Sequence, residues 1–252
     1  MACLSCGDTQ KEHQAGIAIS FDDRYVAQWD SLRPLLKKYD VKATFYMTQF
    51  DSLTATEKGI LLQLQKEGHE IGAHGATHTR AVDYALSQST DAFIKNEVEA
   101  EINAMKKAGL HVSTYAHPGG QQAWFINQKL YNYFNLVRDV ALSERKIAGF
   151  TFKRELTDMD EIYYKFDGNK NVDALLIDQA ANLSIKELNE GLLKAKNTNT
   201  VLMLFGHRPL FKPSEEGYAF RVTMLENILK EAKRLNLKSY TMSELVNERP
   251  NN

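Results

Sequence analysis

The chain is poor in cysteine, balanced in charge and without long hydrophobic runs, and each shortage excludes a class of protein. Cys3 and Cys6 are the two cysteines in 252 residues. Both precede the first apolar segment, so no disulfide framework can hold the body of the chain, and its core must stand on packing. Lys plus Arg total 31 against 32 Asp plus Glu, which leaves no electrostatic footprint for nucleic acid or an anionic membrane surface. A spanning helix needs about 20 mostly apolar residues, whereas Val201–Phe205 has only the length of a strand. No transmembrane segment is therefore expected. What remains, 43% hydrophobic and 25% charged, is an ordinary globular balance.

Residues 1–15 are polar and carry no apolar period, which predicts a disordered tail. A Cys-x-x-Cys pair serves redox or metal chemistry in a strand-to-helix setting or beside a second ligand pair, and neither is present. Leu4-Ser5-Cys6 instead resembles the remnant of a bacterial lipoprotein cleavage site. That reading predicts a lipid anchor at Cys6 and an exported or envelope-associated protein.

From Gly16 onward, short β-type runs alternate with helical periods, the pattern of an α/β fold with mostly parallel strands. Strands are expected at Ile17–Ile19, Lys42–Met47, His69–Gly72, Val112–Ala116, Asn135–Leu142, Val201–Phe205 and Leu237–Tyr240. Helical stripes run through Trp29, Leu32, Leu36 and Tyr39, through Ile60, Leu61 and Leu64 behind a Thr54/Glu57 capping box, and through Phe93, Val98, Ile102 and Met105. Further stripes follow at Ile185–Leu193 and Met224–Leu235. Pro34 fits only if it lies in the first turn of its helix. Residues 143–182 read as an irregular insertion, with strands at Ile162–Phe166 and Ala174–Ile177. No repeat, low-complexity tract or linker interrupts residues 16–252, so one domain of roughly seven βα units is expected, a barrel or a doubly wound sheet.

In such folds the reactive groups sit at the C-terminal ends of strands. Asp22 and Asp23 follow the first buried run as adjacent carboxylates, where an ordinary turn or helix cap needs at most one. His74 and His78 follow the third, four residues apart; on a helical turn they would present two imidazoles to one ion. Two imidazoles and a carboxylate bind zinc and leave positions open for water and substrate. Tyr115-Ala116-His117-Pro118-Gly119-Gly120 is a rigid Pro-Gly turn at a fourth exit. His207, after the late buried strand, is a candidate general acid.

These segments, in this order, resemble the polysaccharide deacetylases of the NodB-homology type, carbohydrate esterase family 4. Ser20-Phe21-Asp22-Asp23 resembles the family's first motif, and Lys42-Ala43-Thr44-Phe45 the strand after it. Glu67–His78, Glu-Gly-His-Glu-Ile-Gly-Ala-His-Gly-Ala-Thr-His, resembles the second motif and is the most specific signal. Tyr115–Gly120 resembles a variant of the third, and Val201–His207 the fifth. The resemblance spans about Gly16 to Val246 and implies a distorted (β/α) barrel of about seven strands. It implies Asp23, His74 and His78 as ligands of a divalent metal, zinc foremost, with cobalt, nickel or manganese as alternatives. Asp22 becomes the base that deprotonates the metal-bound water, and His207 the acid that protonates the leaving amine. Tyr115, Pro118 and Gly119 become the substrate and oxyanion surface. The implied activity is removal of acetyl groups from an N-acetylated, or O-acetylated, polysaccharide or oligosaccharide.

The chain departs from the family pattern at three places. The third motif usually opens with an arginine that holds the base carboxylate; here that position is Ala116, and Arg138 on the next strand is the substitute that strand order suggests. The Ser or Thr usual after the first motif histidine is Gly75. The fourth motif, an aspartate near a tryptophan that orients the acid histidine, is not recognisable; Asp178 and Asp139 are the available carboxylates. His69 is expected to pack beneath the metal loop. Trp124, Tyr163 and Tyr164 are aromatic candidates for a sugar cleft or for the core. The alternatives to a deacetylase are a carbohydrate-binding protein on the same barrel, a cyclic-amide hydrolase, and a non-haem iron oxygenase, whose ion takes the same donor set.

Overall fold

The computed structural model describes residues 13–247, so the Cys3–Cys6 segment lies outside the described residues. The strands in chain order are β1 (Gly16–Asp23), β2 (Thr44–Met47), β3 (Glu70–Ala73), β4 (Thr114–Ala116), β5 (Leu136–Ala141), β6 (Glu144–Ile147), β7 (Phe150–Lys153), β8 (Tyr163–Tyr164), β9 (Asn171–Leu176), β10 (Val201–Gly206), β11 (Arg208–Leu210), β12 (Ala219–Arg221) and β13 (Lys238–Tyr240). Strands β1, β2, β3, β4, β5, β9 and β10 pair in parallel, and β10 returns to β1, closing a seven-stranded barrel. Closure buries both faces of these strands, so β1 and β10 read as the near-continuous apolar runs Gly-Ile-Ala-Ile-Ser-Phe and Val-Leu-Met-Leu-Phe-Gly.

Two seams distort the barrel. The first residues of β1 pair with β13 (Gly16↔Lys238) while its last pair with β2 (Asp23↔Met47), so β13 wedges between β1 and β2. In the same way β10 pairs with β8 at its start and with β9 nearer its end. The first predicted helix is two short ones, Val26–Asp30 and Arg33–Tyr39, with Pro34 in the opening turn of the second. The segment 143–182 holds the β6–β7 hairpin and also the barrel strand β9, which starts three residues earlier than its apolar run because Asn171 pairs with Val137. The parallel pair β11–β12 carried no periodic signal.

The N-terminal rim of the barrel is pinned by one buried carboxylate. Glu70 accepts from Thr44 Oγ1 (2.9 Å), Thr114 Oγ1 (2.8 Å) and the Ser243 amide (3.0 Å), tying three strand starts to the C-terminal helix Met242–Asn247. Glu70→Ala leaves these donors buried and unpaired, and a destabilisation of about 2–3 kcal/mol is expected. Urea unfolding reads it as a lower midpoint at unchanged slope; a midpoint equal to wild type rules the pin out. At the same rim His69 accepts from the Ala43 amide (3.2 Å) and meets the Phe45 ring edge-on. It is a packing residue at the end of β3 opposite His74.

Candidate metal and catalytic site

The C-terminal ends of the barrel strands open into a cleft of about 620 Å³ lined by Asp22, Asp23, His74, His78, His117, Gly119 and His207. Strand alternation puts Asp22 inside the barrel, nearly without solvent exposure, and Asp23 at the rim, where its backbone adopts φ +84°. Aspartate accepts this left-handed conformation more readily than most residues.

His74 and His78 do not share a helical turn. They lie on a loop after β3, with Gly75 at φ +84° and His78 at φ +63°, and this folded loop, rather than a helical spacing of four, brings their rings to 4.9 Å. His74 Nδ1 donates to the Ala116 carbonyl (2.9 Å), which turns Nε2 toward Asp23 as the ring atom available to coordinate. His74 Nε2 and His78 Nε2 stand 3.6 Å and 3.2 Å from Asp23 Oδ1. Two ligands across a tetrahedral zinc at its usual bond lengths are separated by about 3.3 Å, so the spacing fits one ion. Asp23 Oδ1 itself is buried with no hydrogen-bond donor among the described residues. Burial raises the Asp23 carboxyl, but His74 and His78 outweigh it and hold it well below the usual carboxylate range. Two imidazole nitrogens aimed at one carboxylate oxygen are the donor set a divalent cation takes.

Asp22 is held by Arg138, whose Nη2 donates to both carboxylate oxygens. The guanidinium has no solvent exposure and lies between the rings of Phe205 (4.4 Å) and Tyr46 (5.2 Å). Ala116 and Arg138 are register partners on β4 and β5. The side chain at 116 stops at a methyl, and a guanidinium reaches Asp22 from the adjacent strand at the same height in the barrel.

His207 pairs with Asp178: Nδ1 and Oδ2 are 2.5 Å apart, and the His207 amide donates to Oδ1 (3.1 Å). Trp29 Nε1 fixes the His207 carbonyl (3.1 Å). Gly206 lets Asp178 in, since a Cβ there would stand 3.0 Å from Asp178 Oδ1 and 2.8 Å from Phe220. Burial pulls the His207 imidazole down, yet the hydrogen bond to Asp178 and the charges of Asp22, Asp178 and Asp23 raise it above its ordinary value. Asp139, the other candidate partner, instead accepts from the Val140 amide.

Of the three residues expected at the substrate surface, only Gly119 lines the cleft. Tyr115 is wholly buried against Phe134 and His117, and Pro118 is buried beneath the turn. His117, inside the Tyr115–Gly120 segment but given no role from sequence, and Tyr218, which no motif indicated, complete the wall. His117 is kept neutral by burial, which lowers it to about 4, and Tyr218, from the β11–β12 connection, faces the His207 ring edge-on. Tyr163 and Tyr164 pair with the start of β10, at the far end of the barrel, and Trp124 is exposed.

Residues 9–134, half the chain, match the family model described as polysaccharide deacetylase. The peptidoglycan-N-acetylglucosamine deacetylase of Bacillus cereus is 31% identical over 119 residues, covering 46% of this chain and 49% of that protein. The bifunctional xylanase/deacetylase of Pseudobutyrivibrio xylanivorans is 29% identical over 111 residues, 44% of this chain and 17% of that protein. The chain thus spans about half or less of these curated relatives. Among solved structures, the chitin deacetylase from the fungal pathogen Colletotrichum lindemuthianum superposes with a TM-score of 0.60 at 14% identity, covering 96% of this chain and 91% of that one. At that identity the likeness speaks to the barrel.

Proposed function

The chain belongs to the polysaccharide deacetylase family, and from that premise we propose that it is a metal-dependent hydrolase. It removes acetyl groups from an N-acetylated, or O-acetylated, polysaccharide or oligosaccharide. The observation that carries the reading is the convergence on one cleft of three ligand atoms within 4.8 Å of one another, a clamped carboxylate and a carboxylate-paired imidazole.

Amide hydrolysis needs an activated water, a stabilised oxyanion and a proton for the leaving nitrogen. A divalent ion held by Asp23 Oδ1, His74 Nε2 and His78 Nε2, zinc by donor type, supplies Lewis acidity for the first two. Asp22 takes the proton of the attacking water at a carboxylate oxygen, and Arg138 holds that carboxylate in place. His207 Nδ1 is committed to Asp178, so Nε2 is the atom left to deliver a proton to the departing amine. Against the downward pull of burial, Asp178, Asp22 and Asp23 raise His207 above its ordinary value, which favours the protonated imidazole that the acid role needs. The Leu142, Leu176 and Phe205 side chains give the cleft an apolar wall suited to the acetyl methyl.

The near-zero net charge suits a largely neutral sugar polymer and gives no purchase for nucleic acid. The Bacillus cereus relative is named for peptidoglycan, a cell-wall polymer, which supports export of this chain, while the anchor at Cys6 rests on the Leu4-Ser5-Cys6 sequence alone. No helix among the described residues is long and apolar enough to cross a membrane. The test is acetate release by zinc- or cobalt-loaded protein from acetylated chito-oligosaccharide, peptidoglycan and acetylxylan. Release from at least one is expected. No release from any, by protein shown to hold metal, sinks the reading, and glycan binding without release assigns the chain to the binding proteins instead. Metal analysis of protein purified without added metal separates zinc from iron.

A further inference from the structure

The loop between the two histidines is held from behind by one helix. Glu101 Oε2 accepts from the amides of His74 (3.0 Å) and Gly75 (2.7 Å). The Glu97 carbonyl accepts from the Ala76 amide (3.0 Å), and Glu97 Oε2 from that of Thr77 (2.8 Å). Glu97 Oε1 also takes the Thr77 hydroxyl (2.6 Å). The Gly75, Ala76 and Thr77 amides therefore point at two residues one turn apart, both 2% exposed, and the His74 amide is shared between Glu101 and the Met47 carbonyl (2.9 Å). Successive N–H groups turned to one side form a nest for acceptor oxygens, and here two glutamate side chains and the Glu97 carbonyl fill it from within the protein, although burial pushes the Glu101 carboxyl well up.

The helix is built for this. Ile94–Glu99 is a π-helical turn between the α-helical Thr90–Phe93 and Ala100–Lys107. Such turns are rare and interrupt the regular hydrogen-bond ladder, and the Glu97 carbonyl within this one turns to Ala76. Gly75 fits the same arrangement: at φ +84° a side chain is strained, and a Cβ would stand 3.3 Å from Glu97 Oε2 and 3.4 Å from Pro118. Left-handed backbone at Gly75 and His78 persists where the surroundings over-determine it, and the carboxylate bonds provide that determination.

We propose that Glu97 and Glu101 are positioning residues for the ion site, holding the loop so that His74 Nε2 and His78 Nε2 meet Asp23 Oδ1 before any ion enters. The proposal rests on the reading of Asp23, His74 and His78 as ligands. Outer partners of metal ligands typically govern about 10–100-fold in affinity, and a residue that served stability alone would leave the affinity of the folded protein untouched.

Two measurements on the full chain test it. Hydrogen exchange of the metal-free protein should show the Gly75, Ala76 and Thr77 amides protected; amides that exchange freely until Co²⁺ is added overturn the proposal. Competition with a chromophoric chelator should show Co²⁺ bound about 10–100-fold more weakly by Glu101→Leu, with Glu101→Gln, which keeps an acceptor, restoring most of the loss. Thr77→Val changes a partly exposed residue and keeps the protein folded should Glu101→Leu fail to fold; it is expected to weaken Co²⁺ several-fold. Folded variants that bind as tightly as wild type overturn the positioning role alone. Wild-type protein that takes up no Co²⁺ overturns the ion site, and this proposal with it.

Discussion

Arg138→Met is expected to cut deacetylation by about 10²–10⁴-fold, the usual contribution of a positioned acid or base, while leaving metal content near wild type. The guanidinium is the cation that touches Asp22, and both groups are buried. Removing it leaves a carboxylate in the barrel interior next to a second carboxylate, Asp23, and removing one partner of a buried pair costs about 3–5 kcal/mol. Activity and stability should therefore fall together. Arg138→Lys restores the charge but not the planar fork between Phe205 and Tyr46, so it should recover only part of the rate. Because Ala116 and Arg138 are register partners, adding Ala116→Arg to Arg138→Ala should restore activity, with the guanidinium reaching Asp22 from the neighbouring strand. Acetate-release kinetics and urea unfolding of the four variants check this. An unchanged rate in Arg138→Met with full metal content removes Arg138 from the mechanism.

Asp178→Asn should lower the rate by a comparable factor, about 10²–10⁴-fold, and it should also move a titration. In the wild type the aspartate fixes His207 Nδ1 and, with Asp22 and Asp23, outweighs the downward pull of burial. With the charge gone, burial has less opposition and the imidazole titrates at lower pH. The alkaline limb of kcat/KM, which reports loss of the acid's proton, moves toward acid. The same shift bears on stability: a histidine raised by folding contributes stability that is full below its unfolded value of about 6.5 and disappears as pH rises through the folded value. The part of wild-type stability lost on the alkaline side should thus shrink in Asp178→Asn. NMR titration of His207 in metal-free protein checks the direction; a wild-type value at or below that of Asp178→Asn contradicts it.

Local chemistry made much of this protein readable from its residues. The apolar runs of β1 and β10 announce strands buried on both faces, the Thr54/Glu57 box forms as expected before Ala55–Lys66, and residues at strand exits announce a reactive rim. The Ser20–Asp23 and Glu67–His78 segments pointed to Asp23, His74 and His78, and the structure brings their ligand atoms together. The loop conformation that does so could not be read from a spacing of four, because that spacing suits a helical turn and here a left-handed glycine and a left-handed histidine achieve the same convergence. The apolar stripe through Phe93, Val98, Ile102 and Met105 gives no role to Glu97 and Glu101; the packing of that helix under the loop buries them.

What the residues offered only as candidates was long-range: Arg138 as the partner of Asp22, and Asp178 or Asp139 as the partner of His207. Arg138 and Asp22 are 116 residues apart and on strands that are not neighbours, so their contact exists only once β10 closes on β1. Asp178 and His207 are 29 apart, with β10 and a whole helix between them, and no tryptophan marks the aspartate. Periodicity and turn chemistry are set by residues within a turn or two of each other, so they record which face of each element is buried and where each ends. Which side chains then meet across the barrel depends on strand register and closure, and those are settled by packing of the whole set.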